Sequence, residues 1–330
     1  QRQMCIRDSA REDGCYSGDQ TLNNSPLQRP CWCGCNTALP VALVAVVDGE
    51  REFPLVRCER CGVFCLFPPP DDAELLRYYD ADYYGGSPRK FVGPIARAVS
   101  WFQGGRARQV ARHVPLGGKI LDVGCGNGGF LRSMKLRNYD VEGTEWTEIS
   151  ARRASAESEL TVHAGDLLTL DLPTRHYDAI TMWHVFEHLR EPLETLKVAR
   201  SLLNDGGVLF LSLPNHESWQ ARYFGTSWFH LDPPRHLFGF GPRSLHALLQ
   251  LAGFGVDRRS TFSLEQNPYG FMQSALNAAG FPRDRAYGVL KSSVTLPTRT
   301  KILDLFLLSA LAVPGVVLSS IASACGAGAT

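Results

Sequence analysis

From Lys119 onward, short apolar runs alternate with segments whose apolar residues recur every three or four positions. KILDVGCG (119–126) predicts a strand closing in a glycine turn, and GFLRSMKLR (129–137) predicts a helix. YDVEGTEW (139–146), LTVHAGD (160–166), YDAITMWHV (177–185) and GGVLFLSLP (206–214) predict further strands. ISARRASAESE (149–159), LETLKVARSLL (193–203) and RSLHALLQLAGF (243–254) carry the helical period, and GVDRRSTFSL (255–264) predicts one more strand. Strands alternating with helices at this spacing make parallel βαβ units, so the fold class is α/β: a doubly wound open sheet covered on both faces.

The flanks follow other patterns. PCWCGCN, the strand-like ALPVALVAVVDG and the returning FPLVRCERCGVFCLF predict two cysteine-bearing turns with strands between them, the layout of a zinc ribbon, over residues 30–70. PPPDD stops that sheet, and Asp71 or Asp72 caps a helix, AELLRYYDADYY. An Arg-rich helix over 91–114 completes a helical linker and cap at 71–116. Residues 1–29 are polar and aperiodic and are read as disordered; QRQMCIRDS resembles translated adaptor sequence. At the other end, no charge follows Asp304, and LFLLSALAVPGVVLSSIAS is long enough to cross a bilayer. Its four serines and the Pro314–Gly315 break favour a buried or interfacial helix pair instead.

Composition narrows the function. With 330 residues, 44% hydrophobic and 20% charged, the chain has room for about two domains. A net charge of +1 supplies no global field for nucleic acid or anionic membranes. Eight of the ten cysteines fall in the first 65 residues, with no apolar stretch of signal-peptide length before them. A reducing, cytoplasmic setting follows, in which clustered cysteines point to metal before disulfides.

Ligands of an open α/β sheet sit at the carboxyl ends of its strands. There the turn DVGCGNGG supplies Gly124, Gly126, Gly128 and Gly129. Gly124, Gly126 and Gly129 satisfy the GxGxxG spacing of a dinucleotide site, with Glu145 placed to accept ribose hydroxyls. S-adenosylmethionine uses the same topology without a pyrophosphate. Asp122 at the turn would repel a diphosphate and attract a sulfonium. Asp122, Glu145 and Asp166, at the ends of successive strands, tip the balance toward S-adenosylmethionine.

LDVGCGNGGF, GTEW, GDLL, YDAITMWHVFEHLREP, LLNDGGVLFLSLPN and DPPRHLFGFGPRSL, in that order over residues 117–265, resemble class I S-adenosylmethionine-dependent methyltransferases. The nearest resemblance is to ubiquinone-biosynthesis O-methyltransferases and to sugar and natural-product methyltransferases with an N-terminal zinc module. It implies a Rossmann-like sheet and methyl transfer to a small-molecule acceptor: a sugar nucleotide, a quinone-like lipid or a secondary metabolite. It also implies that Asp122, Gly124, Gly126 and Gly128 hold the methionine end of the cofactor. Glu145 then takes the ribose, and Asp166 with the Leu167 backbone takes the adenine. Relatives often end in a hairpin that completes the sheet; here residues 266–330 form a helical extension, and GAGAT stands where that strand would begin. This leads to the expectation of a truncated chain with an exposed sheet edge.

A base is needed when the acceptor is a hydroxyl or a carbon acid. His184, Glu187 and His188 in MWHVFEH, and His230, Asp232, Arg235 and His236 in FHLDPPRH, are the candidates; His184 and His236 are the expected catalytic pair. His184 and His188, four apart, would share a helix face, but the Glu follows the wrong His for a zincin. NHESWQARYFGTSWFHLDPPRH (215–236) is read as a substrate lid, with Trp228, Phe229 and His236 facing the pocket. Cys31, Cys33, Cys58 and Cys61 are the expected ligands of a structural zinc, although Pro30 breaks the first CxxC and leaves Cys35 as a substitute; Cys65 is read as core. No nucleic-acid surface is expected, and peripheral membrane contact is left to the C-terminal apolar segment. Two other readings stay open: a nicotinamide-dependent oxidoreductase, and a zinc-ribbon binding protein with an inactive methyltransferase-like domain.

Overall fold

A computed structural model describes residues 31–45, 51–79, 93–158, 160–291 and 296–330. The expected disorder at 1–29, the end of the AELLRYYDADYY helix and the start of the Arg-rich helix lie outside these residues. At the amino-terminal side, β1 (Ala38–Ala45), β2 (Glu52–Cys58) and β3 (Phe64–Leu66) pair antiparallel. The prolines after β3 end the sheet, and Asp71 accepts the Glu74 N–H at 2.7 Å to cap α1 (Asp72–Arg77).

The α/β unit follows: α2 (Gly93–Val110), β4 (Lys119–Val123), α3 (Gly129–Lys135), β5 (Asp140–Glu145), α4 (Glu148–Ser158), β6 (Val162–Ala164) and β7 (Tyr177–Trp183). A single 3-10 turn, Phe186–His188, leads to α5 (Pro192–Leu202) and β8 (Leu203–Ser212). The five strands pair parallel in the order β6-β5-β4-β7-β8. Side chains alternate across this sheet. Ile120 and Ala179 point to a core with Ala107, Leu131 and Met134; Leu121 and Ile180 point to one with Leu196, Ala199 and Leu248. Apolar residues on both faces explain why these strands read as runs rather than as alternation.

After β8 come α6 (Trp219–Phe224), β9 (Phe238–Gly239), α7 (Pro242–Leu251), α8 (Asn267–Ala278), α9 (Arg285–Lys291) and α10 (Thr298–Ala324). β9 pairs antiparallel with β3, so the cysteine-bearing sheet takes its fourth strand from the far side of the chain. Trp32 packs on Phe238 and Phe240, and Cys35, Cys58 and Val63 share one core with the parallel sheet.

Two expected elements differ. GVDRRSTFSL forms no strand: residues 255–260 are exposed and pair with nothing, because β8 is the last strand on that side among the described residues. The apolar carboxyl-terminal segment is one helix of 27 residues that runs through Pro314, not a broken pair. Gly315 seats against α8, where an added Cβ would lie 3.1 Å from the Pro268 carbonyl, and this packing carries the helix past the proline. Ser309 and Ser320 donate to carbonyls four residues back, so their hydroxyls are satisfied within the helix. GAGAT folds onto the β8–α6 connection instead of starting a strand: Asn215 N donates to the Ala329 carbonyl and Trp219 N to the Ala327 carbonyl.

Candidate active site and cysteine centre

β4 ends in a turn that only glycine can follow. Gly124 has φ +67°, and a Cβ there would stand 2.5 Å from Val185 Cγ2. Gly126, at φ +61°, has open space where its Cβ would be, and its N–H donates to Glu145 Oε1 at 2.5 Å. The carboxylate at the end of β5 therefore props the turn from the neighbouring strand. Asp122 is buried and accepts a 2.6 Å hydrogen bond from Thr181 Oγ1 of β7. Burial pushes its carboxyl up to about 7, against the opposing pull of Thr181 and of the Arg106 guanidinium.

These groups open onto one cavity of about 1470 Å3 at the carboxyl ends of β4–β7. Asp122, Gly124, Gly126, Glu145, Asp166 and Leu167 all line it. Gly128 does not; at φ +68° it forms the left-handed entry to α3. Asp166 Oδ1 accepts the Leu168 N–H at 2.9 Å, which leaves its second oxygen available. A volume above the roughly 300–1,000 Å3 of a single-ligand site leaves room for a second molecule.

The far end is built by other elements. His184 closes β7 at φ +57°, its N–H held by the Ser212 carbonyl at 2.8 Å. That left-handed residue prevents the helix on which His184 and His188 would have shared a face; His188 follows on the 3-10 turn instead. Between them, Glu187 is 1% exposed and faces His184 Nδ1 at 3.4 Å and His236 Nε2 at 3.9 Å. Burial alone would raise its carboxyl; His184, His236 and His188 together outweigh that and hold it at about 2. Burial keeps the His188 and His230 imidazoles neutral to about pH 4 and 3.

The 215–236 segment is only partly the expected lid. Phe229 and His236 line the cavity, whereas Trp228 is 1% exposed and packs in the core against His216. Asp232 and Arg235 are spent on each other in a two-point ion pair, at 2.9 and 2.6 Å. Sequence reasoning missed Tyr269 and Tyr287, which meet Phe229 at 5.3 and 5.2 Å between ring centres and form an aromatic wall. No local signal marked them, since α8 and α9 read only as helical extension.

Residues 102–258 match a family model described as a methyltransferase domain. That match spans the glycine turn, the acidic strand ends and the HVFEH segment in the order found around the cavity. Residues 102–258 are a class I S-adenosylmethionine-dependent methyltransferase domain. Among curated relatives of this methyltransferase domain, the ubiquinone biosynthesis O-methyltransferase of Haemophilus ducreyi is 34% identical over 110 residues, covering 30% of this chain and 46% of that protein. The same-named protein of Leptothrix cholodnii is 29% identical over 162 residues, 46% of this chain and 68% of that one. The chain thus spans about half to two thirds of the length of these relatives. A solved putative sarcosine dimethylglycine methyltransferase from Galdieria sulphuraria is 15% identical with a TM-score of 0.46, covering 73% of this chain and 92% of that one.

The cysteine centre lies outside the methyltransferase domain in sequence. Cys31, Cys33, Cys58 and Cys61 bring their sulfurs within 4.8 Å of one another. Cys31 Sγ and Cys61 Sγ are 3.5 Å apart, and Cys33 Sγ and Cys58 Sγ 3.6 Å. Tetrahedral zinc with bonds of ~2.3 Å needs sulfurs about 3.8 Å apart, so this donor set fits such an ion. Cys35 turns away to Thr37, and Cys65 sits half-buried in β3, outside the cluster.

Proposed function

We propose that the chain transfers a methyl group from S-adenosylmethionine to a hydroxyl on a planar, quinone-like or phenolic acceptor. The observation that carries this reading is the single cavity with two unlike ends. Glycine turn and strand-end carboxylates line one end; aromatic rings and imidazoles around a buried carboxylate line the other. Asp122, Gly124 and Gly126 take the methionine end of the cofactor, Glu145 the ribose, and Asp166 with the Leu167 backbone the adenine. Gly128 supports the turn.

At the other end, Phe229, Tyr269 and Tyr287 offer ring faces to a flat acceptor, a preference in keeping with the names of the relatives. The reaction is an in-line displacement. The acceptor oxygen forms the new C–O bond, the C–S bond breaks, and sulfur keeps the electron pair. His184 takes the hydroxyl proton, and Glu187 beside it stabilises the resulting imidazolium. His236 contacts the acceptor from the lid.

The four cysteines hold a structural zinc, and the exposed apolar face of α10 rests on a lipid surface, which suits a lipid-linked acceptor. Isothermal titration of S-adenosylhomocysteine tests the cofactor end. The chain binds it, and Glu145→Ala weakens binding about ten- to a hundredfold, the ~1.5–3 kcal/mol of hydrogen bonds to a charged group. A folded sample that binds no S-adenosylhomocysteine overturns the reading.

A further inference from the structure

The Glu187 carboxylate is buried, and neither of its oxygens receives a hydrogen bond from the described residues. An ionised carboxylate in that position needs positive charge close by. His184 Nδ1 stands 3.4 Å from Oε1 on one side; the groups on the other side are imidazoles whose protons are already committed. His236 Nδ1 lies 2.9 Å from the His230 carbonyl, and His188 Nδ1 lies 2.9 Å from the Arg235 carbonyl. A carbonyl only accepts, so a proton on Nδ1 of each ring satisfies it and leaves a bare lone pair on Nε2; at His188 the Tyr79 hydroxyl, 2.9 Å from the same Nδ1, accepts a share of that proton. Backbone carbonyls holding Nδ1–H in this way are the usual supports of metal-ligating histidines.

The three residues converge. Glu187, His188 and His236 each offer one ligand atom within 4.8 Å of the other two, and the imidazole centres of His188 and His236 are 4.6 Å apart. At 3.9 Å, His236 Nε2 and the Glu187 oxygen are too far apart for a hydrogen bond. Two ligands of one ion, with bonds of ~2.1 Å, stand about 3–3.5 Å apart, which a small closing of the side chains reaches. Electron-pair donors facing one another with no donor hydrogen between them call for a cation.

We propose that Glu187, His188 and His236 bind a divalent transition-metal ion at the acceptor end of the cavity. Two imidazoles and one carboxylate suit ions such as zinc, manganese or iron and leave coordination positions open. All three residues line the cavity, so the open positions face the space left for the acceptor. The role of the ion rests on the methyl-transfer reading above. Such an ion would lower the pKa of an acceptor hydroxyl bound to it, so that His184 takes the proton and the oxygen attacks as a phenolate. Sequence spacing set His184 and His188 on one helix face; the fold instead brings His236, from the distant PPRH motif, beside His188.

Manganese(II) is the probe, because its preference for oxygen and nitrogen donors keeps it off the four cysteines. Electron paramagnetic resonance titration of the full chain, pretreated with a mild chelator, reads free manganese. The expected result is one ion bound per chain, weakened about tenfold or more in both Glu187→Gln and His236→Ala. S-adenosylhomocysteine binding, measured on the same samples, reports folding and the cofactor end independently. A wild-type chain that binds S-adenosylhomocysteine but no manganese overturns the metal site and leaves the cofactor reading standing. Manganese binding undiminished in both variants also overturns it. If one variant loses S-adenosylhomocysteine binding and so has misfolded, the other decides the matter, with His188→Ala as the replacement. Manganese bound as expected, with no methyl transfer to any phenolic acceptor, counts against the acceptor reading alone.

Discussion

Replacing Gly124 with alanine should destabilise the protein through two separable costs. The first is backbone: at φ +67° an alanine occupies the left-handed region, at about 1–2 kcal/mol. The second is crowding, since the new Cβ would meet Val185 Cγ2 at 2.5 Å and Cγ1 at 3.0 Å. Val185 opens the segment that carries Glu187 and His188 and cannot retreat freely; overpacking of this kind costs about 1–3 kcal/mol. Gly124→Ala should therefore lose about 2–5 kcal/mol, a fall of roughly 1 M or more in the urea midpoint followed by circular dichroism. Val185→Ala removes the obstacle but not the dihedral cost. The double variant should consequently be more stable than the two single losses predict, by about 1–3 kcal/mol of coupling. A Gly124→Ala chain within about 0.5 kcal/mol of the parent would refute the geometry of the turn. A strictly additive cycle would refute the contact with Val185 while leaving the turn itself in place.

Two further outcomes follow from the site and the carboxyl-terminal helix. Asp122 titrates at about 7 when folded, against ~3.9 unfolded, so its contribution to stability falls as pH rises from about 4 to 7 and is constant above. The ammonium of the cofactor's methionine end favours the ionised form, so S-adenosylhomocysteine affinity should rise with pH up to about 7 and then level, and Asp122→Asn should flatten that profile in calorimetry. On α10, Phe306 and Val313 are exposed one above the other two turns apart; the parent should co-sediment with lipid vesicles, and Phe306→Asp with Val313→Asp should abolish this without changing S-adenosylhomocysteine affinity.

The parallel sheet was readable because each of its strands is an apolar run bounded by a glycine turn or a helix of clear period. The cofactor end was readable for a related reason: Asp122, Glu145 and Asp166 sit at or just past strand ends, and strand ends are what periodicity locates. The acceptor end was not. Its wall comes from α8 and α9, whose Tyr269 and Tyr287 look like any helix aromatics until the chain folds back. The sequence placed Glu187 among the candidates, but not that it would be enclosed with its oxygens unmet, which depends on His236 arriving from a distant lid. The left-handed His184 defeated the helical reading of HVFEH, because no single-residue rule marks a histidine that must turn there. GVDRRSTFSL had strand-like composition but no neighbour to pair with, and pairing is a property of the sheet, not of the segment.

The pairing of β3 with β9 ties the cysteine centre to the acceptor end. Val63, Phe64 and Cys65 follow directly from the second cysteine turn, and Phe64 and Cys65 pair with Gly239 and Phe238. One step further along the pair, Leu66 N donates to the Leu237 carbonyl at 3.1 Å, and Leu237 N donates to the Glu187 carbonyl at 2.9 Å. His236, next in the chain, is thus held beside Glu187 from two sides, one of them the cysteine sheet. The cofactor end hangs on β4, β5 and β6, which share no strand pairing with that sheet. Disrupting the four-cysteine cluster should therefore act on the acceptor and spare the cofactor. Cys58→Ser should lower methyl transfer at least about tenfold, through a raised acceptor KM, a lowered kcat or both, with S-adenosylhomocysteine affinity held within about twofold. Calorimetry beside a steady-state assay reads the two ends separately. A parallel collapse of S-adenosylhomocysteine binding would mean that the cysteine centre supports the whole core, in which Cys58 and Val63 do take part, and not the lid in particular.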